Sequence, residues 1–411
     1  MKSTANQLKV YSEMYRRELM DNVVPFWLKH SLDRKYGGYL HCLERDGTPY
    51  DTDKFSWMQG RELWTWAVLY NDVAPRQEYL DAARVGAEFL RAHAWDENGR
   101  MPFAMERDGT PFIKPRGIFA ESFLAIGMAA YARALLTTGS GEGWAEEMSR
   151  QAYDLYLRLA DLPQTHDGST YAGVRPVLSH GISFIKVAMS QELRRYYEDD
   201  RFEKVIDEAV DTIMGKHVRP ESEALFEYVT LAGEAIPGPM GRLLIPGHAV
   251  ESMVFVLREA ARRDNRSLIE RACDVILWSL EAGWDEEYGG ILYFVDAERA
   301  QNRKLEGDMK LWWVHTEAMV ATLLAYRLTG EPVFWEWFER VHAWAWERFR
   351  DPQYGEWYGY LRRDGQVSLS LKGSIWKGFF HLPRALMQLR ALSCLEGGAA
   401  PLSMEDVEGI L

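Results

Sequence analysis

Cysteine is scarce in this chain: three in 411 residues, Cys42, Cys273 and Cys394, far apart and odd in number. That argues against a disulfide framework or a Cys-based metal site, and predicts a reduced, cytoplasmic compartment. Positive charge is also short, with 48 Lys and Arg against 61 Asp and Glu, and the net charge of −13 repels nucleic acid and anionic membrane surfaces. No apolar run approaches a membrane span, and the N-terminal residues offer no signal-peptide core, so neither a membrane partner nor a secretory leader is expected. Linkers rich in Pro, Ser or Gly are missing as well. The length alone would allow two or three domains, but a repeat that runs from end to end predicts a single domain over 1–411.

That repeat begins with a phrase used twice. Leu43-Glu44-Arg45-Asp46-Gly47-Thr48-Pro49 returns as Met105-Glu106-Arg107-Asp108-Gly109-Thr110-Pro111, each copy closing a short alternating stretch that starts at a glycine turn, which reads as a β-hairpin. Weaker echoes follow at Asp167-Gly168, Phe226-Glu227-Tyr228, Tyr288-Gly289-Gly290 and Tyr354-Gly355, the last running on to Arg363-Asp364-Gly365. Six copies result, about 60 to 70 residues apart. Between them, apolar residues recur at three and four, as in Tyr79, Ala82, Ala83, Val85, Phe89 and Leu90. About twelve helices are expected, near 5–30, 56–71, 77–94, 117–137, 142–160, 179–197, 201–216, 247–263, 266–283, 310–329, 333–349 and 374–394. Two helices in each of six repeats, none able to bury its apolar face alone, predict an all-α chain closed into an (α/α)6 barrel. An open solenoid of helical pairs is the alternative.

Aromatics are plentiful, with 16 Trp, 20 Tyr and 17 Phe. Most belong to the core; the surplus suits a concave enclosure in which sugar rings stack. Unusual polar residues recur at one phase of the repeat, early in its second helix: Arg61, Glu121, His180, His248 with Glu251, His315 with Glu317, and His381. If the second helices form the inner ring, their N-terminal ends meet at one mouth, and these residues become neighbours. Each also has a structural reading, as a paired core ion or a satisfied histidine, and for Glu121, His180 and His315 that reading is the stronger. His248 and Glu251 share a helix face at i and i+3, but no His-Glu-Xaa-Xaa-His cluster accompanies them, so no metal is expected. Pro246 starts their helix, where the dipole disfavours an imidazolium at His248 and predicts a neutral ring able to accept a proton.

Four long motifs carry a resemblance. Leu371-Lys372-Gly373-Ser374-Ile375-Trp376-Lys377-Gly378-Phe379-Phe380-His381-Leu382-Pro383-Arg384, Pro246-Gly247-His248-Xaa-Xaa-Glu251, Lys310-Leu311-Trp312-Trp313-Val314-His315-Xaa-Glu317 and Trp57-Xaa-Gln59-Gly60-Arg61 resemble the N-acylglucosamine 2-epimerase family over nearly the whole chain. The resemblance implies an (α/α)6 barrel and interconversion of N-acetylglucosamine and N-acetylmannosamine with no cofactor. It also implies catalytic roles for His248, His381, Arg61 and Glu317, with Glu251 in support. Relatives of the same fold include cellobiose 2-epimerases and aldose–ketose isomerases on mannose-type sugars, which stay open as alternatives.

The chemistry calls for these residue types in its own right. Inverting C2 of an aldose means opening the ring, removing the proton beside the aldehyde and returning one to the opposite face. Two bases are needed that change protonation near neutral pH, and histidine is that side chain. The enediolate between them needs a fixed cation where water is scarce, which suits Arg61. Trp57, Trp312 and Trp376 are candidate apolar walls, and Glu251, Glu121 and His180 candidate contacts to substrate. The stretch Asp161–Tyr171 lacks the lysine-bearing glycine run expected of nucleotide-activated members, so ATP activation is not expected. A glycoside hydrolase would need paired carboxylates, for which Glu121 and Glu317 could be named, but a histidine pair facing an arginine suits proton transfer better. A non-catalytic binding protein would not need all four motifs. A homodimer is the expectation from exposed aromatics.

Overall fold

A computed structural model describes residues 2–139, 143–162 and 176–394. Helix α1 (Lys2–Arg17) runs through a π turn at Glu18–Val23 into α2 (Val24–His30), so the two form one rod. Then follow α3 (Ser56–Val68), α4 (Gln77–His93), α5 (Phe119–Thr137), α6 (Trp144–Ala160), α7 (His180–Arg194), α8 (Arg201–Thr212), α9 (Pro246–Arg262), α10 (Arg266–Gly283), α11 (Trp312–Thr329), α12 (Pro332–Arg348) and α13 (His381–Cys394). Odd-numbered helices from α3 to α13 form the inner ring. Around it, α4, α6, α8, α10, α12 and the α1–α2 rod each pack on an inner partner, as the (α/α)6 pattern requires.

The division between rings follows from where apolar residues sit. Outer α8 buries Phe202, Ile206, Ala209 and Val210, one stripe at helical spacing, and leaves its acidic face to water. Inner α11 is buried at every position from Trp312 to Leu328, because it touches a neighbour on each side, its outer partner behind and the barrel interior in front. Inner α5 is likewise buried over most of its length, and it is long and apolar enough to cross a membrane by length and composition. This corrects the expectation that no such stretch exists; its place in the ring accounts for its composition. Glycine permits the closest crossing of inner helices: a Cβ on Gly60 of α3 would stand 2.7 Å from the Phe123 backbone, and one on Gly127 of α5 2.8 Å from the Gly60 carbonyl.

Among the described residues, short strands stitch most repeats to the next at the mouth. The strand leading into α3, β1 (Lys54–Phe55), pairs with β2 (Ala104–Met105), which pairs with β3 (Pro111–Ile113). In the same way β4 (Val177–Ser179) pairs with β7 (Tyr228–Thr230), β8 (Leu243–Leu244) with β9 (Val295–Asp296), and β10 (Lys310–Leu311) with β11 (Tyr360–Leu361) and then β12 (Val367–Leu369); β5 (Val218–Arg219) and β6 (Ala224–Leu225) form a separate hairpin. The ring is closed by the same device, since the Lys372 amide donates to the Leu43 carbonyl at 3.0 Å. Gly373 lies at that seam, where a Cβ would collide with the His41 carbonyl. The first copy of the repeated phrase is less than the expected hairpin: single bridges, Leu32 to Tyr39 and Leu43 to Pro49, hold it.

The phrase itself proves to be a clamp between repeats. Its arginine reaches back to an aspartate of the preceding repeat and donates from both Nε and Nη2: Arg107 to Asp33 at 2.9 and 3.0 Å, Arg363 to Asp285 at 2.9 and 3.2 Å, and Arg45 to Asp351 at 2.7 and 3.0 Å. A fully buried lysine, Lys54, Lys310 or Lys372, lies 3.0 Å from the same carboxylate. Arg45 and Asp351 join first repeat to last.

The helix start expected near 374 lies at His381, because residues 374–380 run without helix along the mouth.

Candidate active site

One cavity of about 610 Å³ opens at the end of the barrel where the inner helices begin. Arg61, His248, Glu251, His381, Trp57, Trp312 and Trp376 line it, as do Trp313 and Arg384, which the sequence reading left without a role. Helix periodicity and the lead-in strands bring these about: each side chain sits in the first turns of an inner helix, or in the segment entering it, at the rim of the same enclosure.

His248 of α9 and His381 of α13 flank α11 from either side. Both lean on Trp313, at ring separations of 5.5 and 5.6 Å. Each has its Nδ1 committed to a buried carboxylate: His381 Nδ1 donates to Glu317 Oε1 at 2.8 Å, and His248 Nδ1 to Glu227 Oε2 at 3.0 Å. That fixes the tautomers and leaves Nε2 of each ring for a ligand. Their proton affinities diverge. Burial pushes His381 well below the usual histidine value, and the nearby guanidinium groups of Arg61 and Arg384 add to the effect against Glu251. Burial also pulls on His248, but the Glu227 carboxylate outweighs it, and the net shift is upward. The helix-start argument for a neutral His248 is thereby corrected: a full charge at hydrogen-bond distance overrides a partial dipole. Glu227, buried and held well below its usual range by the histidines despite desolvation, is the functional candidate that sequence reasoning missed. Its position in one of the weaker hairpin echoes was the available signal.

Glu317 stands behind His381 rather than on the cavity wall. Arg384 Nη2 donates to Glu251 Oε1 at 2.5 Å and to Glu317 Oε1 at 2.7 Å, bridging the two acids. Glu251, Glu317 and His381 place donor atoms within 4.8 Å of one another, a spacing a metal could use. The guanidinium already joins the two carboxylates, so a divalent ion would meet a fixed positive charge, and the set fits a metal poorly.

Arg61 is partly buried, with its guanidinium against three aromatic faces, 4.2 Å from Phe123, 4.5 Å from Trp57 and 5.0 Å from Phe380. Burial lowers its pKa to about 9, with Glu251 and Glu317 opposing, and its Nε has no partner. A cation on the cavity wall is a ready site for an oxyanion.

Three sequence candidates lie elsewhere. Glu121 does not line the cavity; it accepts from Arg100 Nε at 2.6 Å and ties the second hairpin to α5. His180 is fully buried behind the wall, with Gly181 taking the lining position. His315 donates from Nδ1 to the Leu311 carbonyl at 2.8 Å and accepts the Ile291 amide at Nε2, so burial holds it neutral, near pKa 3, in a structural role. Residues 163–175, which carry most of the segment read for nucleotide activation, lie outside the described residues.

Comparison with known proteins identifies the family and the fold. The family model described as N-acylglucosamine 2-epimerase (GlcNAc 2-epimerase) matches residues 38–385. N-acylglucosamine 2-epimerase of Bos taurus is 36% identical over 394 residues, covering 94% of this chain and 92% of that protein. The Homo sapiens protein of the same name is 35% identical over 405 residues, with 94% and 91% covered. Among solved structures, cellobiose 2-epimerase from Bacillus thermoamylovorans superposes with a TM-score of 0.79 at 21% identity, covering 94% of this chain and 100% of that one, which supports the (α/α)6 fold. The match over most of the chain, with the histidine, arginine and glutamate positions gathered at one mouth, places this protein in the N-acylglucosamine 2-epimerase family of carbohydrate epimerases.

Proposed function

We propose that this protein interconverts N-acetylglucosamine and N-acetylmannosamine by moving a proton at C2 between His248 and His381, with no cofactor. The observation that carries the reading is a pair of histidines on one cavity, each with Nδ1 held by a buried carboxylate, their proton affinities shifted in opposite directions. After ring opening, neutral His381 takes the C2 proton of one epimer at Nε2. The C2–H electron pair forms the C1–C2 double bond, and the C1 carbonyl pair moves onto oxygen. The product of that step is an enolate at O1, or an enediolate where C2 carries a hydroxyl. Arg61 offers its guanidinium charge to that oxygen. His248 then returns its Nε2 proton to the other face of C2, and the reverse reaction exchanges the two roles. Arg384 holds Glu251 and Glu317 in place, and Glu317 orients His381. Trp57, Trp312 and Trp376 supply faces for the sugar.

Relatives about 35% identical that are named for N-acylglucosamine favour this substrate over the cellobiose named for a relative 24% identical. Described cysteines, Cys42 and Cys273 buried and Cys394 exposed, are unpaired, in keeping with a cytoplasmic protein. The test is isotopic: reaction in deuterated water should place deuterium at C2 of the product within a single turnover, read by mass or proton NMR. Unlabelled product would point to hydride movement and reject the proton-transfer scheme.

A further inference from the structure

Behind the cavity wall lie three polar atoms without partners. His180 opens α7, is fully buried, and has no hydrogen bond at either ring nitrogen. His217, equally buried, donates from Nδ1 to the Phe226 carbonyl at 2.9 Å and leaves Nε2 unmatched. Buried polar atoms are nearly always satisfied, and an exception asks for a reason.

An acceptor stands close to His180. Glu227 Oε2 is 3.7 Å from its Nδ1, and that oxygen is the one that takes the His248 hydrogen at 3.0 Å. The start of α7 is already tied to Glu227, since the His180 amide donates to its carbonyl at 2.9 Å and the Gly181 amide to Oε1 at 3.3 Å. A neutral imidazole has one N–H to place. A ring shift of less than about 1 Å brings it to hydrogen-bond length.

We propose that His180 is a positioning residue for His248, donating from Nδ1 to Glu227 and so setting how tightly Glu227 holds the proton on His248. Glu227 is then shared by two histidines, one facing the cavity and one behind it. A second donor spreads the carboxylate charge, weakens its pull on His248, and leaves that imidazolium acidic enough to release its Nε2 proton. With Nδ1 donating, Nε2 of His180 becomes an acceptor like Nε2 of His217. Their rings stand 5.6 Å apart, and one buried water giving a hydrogen to each would satisfy both. Glu227, His217, His248 and Glu251 are the ionisable groups that face His180, and Arg219 faces His217. Burial lowers both rings, His217 to about 3, and the effect is read on His248.

The proposal rests on His248 as a proton carrier, and the test keeps the two ideas apart. In the full-length protein labelled with 15N- and 13C-histidine, the His248 titration is followed by NMR beside the pH profile of kcat/KM. His180→Phe should lower the proton dissociation constant of His248 about tenfold and move the basic limb up by about one pH unit. His180→Asn, whose amide N–H falls near the position of Nδ1, should restore the wild-type values. A folded His180→Phe protein in which His248 titrates as in wild type overturns the proposal. If that variant does not fold, the wild-type 15N shifts decide: His180 carrying its hydrogen on Nε2 instead of Nδ1 also overturns it. Failure of C2 exchange in wild type would reject the epimerisation chemistry while leaving the His248 titration readable.

Discussion

Glu227→Gln keeps the shape of the His248 partner and removes its charge. A hydrogen bond to a charged group contributes about 1.5–3 kcal/mol, and 1.36 kcal/mol corresponds to one pH unit, so His248 should lose about one to two units. Burial then has the upper hand, and the ring moves from above its ordinary value to below it. The reaction needs one proton shared between His248 and His381, so kcat/KM is bell-shaped in pH with apparent values that belong to the pair. Loss of the last proton, which resides mainly on His248, sets the basic limb. Entry of a second proton, at His381, sets the acidic limb. Glu227→Gln should therefore move the basic limb down by about one to two units and leave the acidic limb nearly in place, lowering kcat/KM by about 10- to 100-fold on the basic side. The equilibrium between two neutral sugars does not depend on pH, so both directions must shift alike. An NMR assay that quantifies both epimers across a pH series would show it. A basic limb that stays put, or moves upward, refutes the assignment of Glu227 as the anionic partner of His248. His180→Phe shifts the same limb the other way, and opposite signs from two neighbouring substitutions cannot come from general damage.

His381→Asn should lower turnover by about 10² to 10⁴, while His248 still exchanges the C2 proton of one epimer alone; exchange of both in deuterated water would assign the second base elsewhere. Initial rates with and without millimolar ATP should agree, and many-fold activation would show a nucleotide site built from other residues. Asp351→Ala leaves Lys372 buried without its carboxylate at the seam of the ring, and breaking such a pair costs about 3–5 kcal/mol. A denaturant melt in which Asp351→Ala matches wild type would show that the clamp carries no stability.

Local sequence made the helices legible because helix periodicity survives in any register, and the repeat made the ring legible because six equal units leave little else to build. Phase did the rest. A side chain in the first turns of an inner helix must face the mouth or the neighbouring helix, which was enough to gather Arg61, His248, Glu251 and His381 on one cavity. Phase could not say which of those two directions it would be. Glu121 shares the phase and turns to Arg100; His180 shares it and turns behind the wall. The partners that set proton affinity were hidden for a different reason. Glu227 comes from the segment leading into β7, 21 residues before the histidine it serves, where only a weak echo of the repeat marks it. The duplicated phrase was conspicuous because two nearly identical loops stand in one chain, and it marked no catalytic group. Its arginines span repeats, Arg107 to Asp33, Arg363 to Asp285 and Arg45 to Asp351. What the duplication preserves is the tie between one repeat and the next, and Arg45 with Asp351 uses it to join the last repeat to the first.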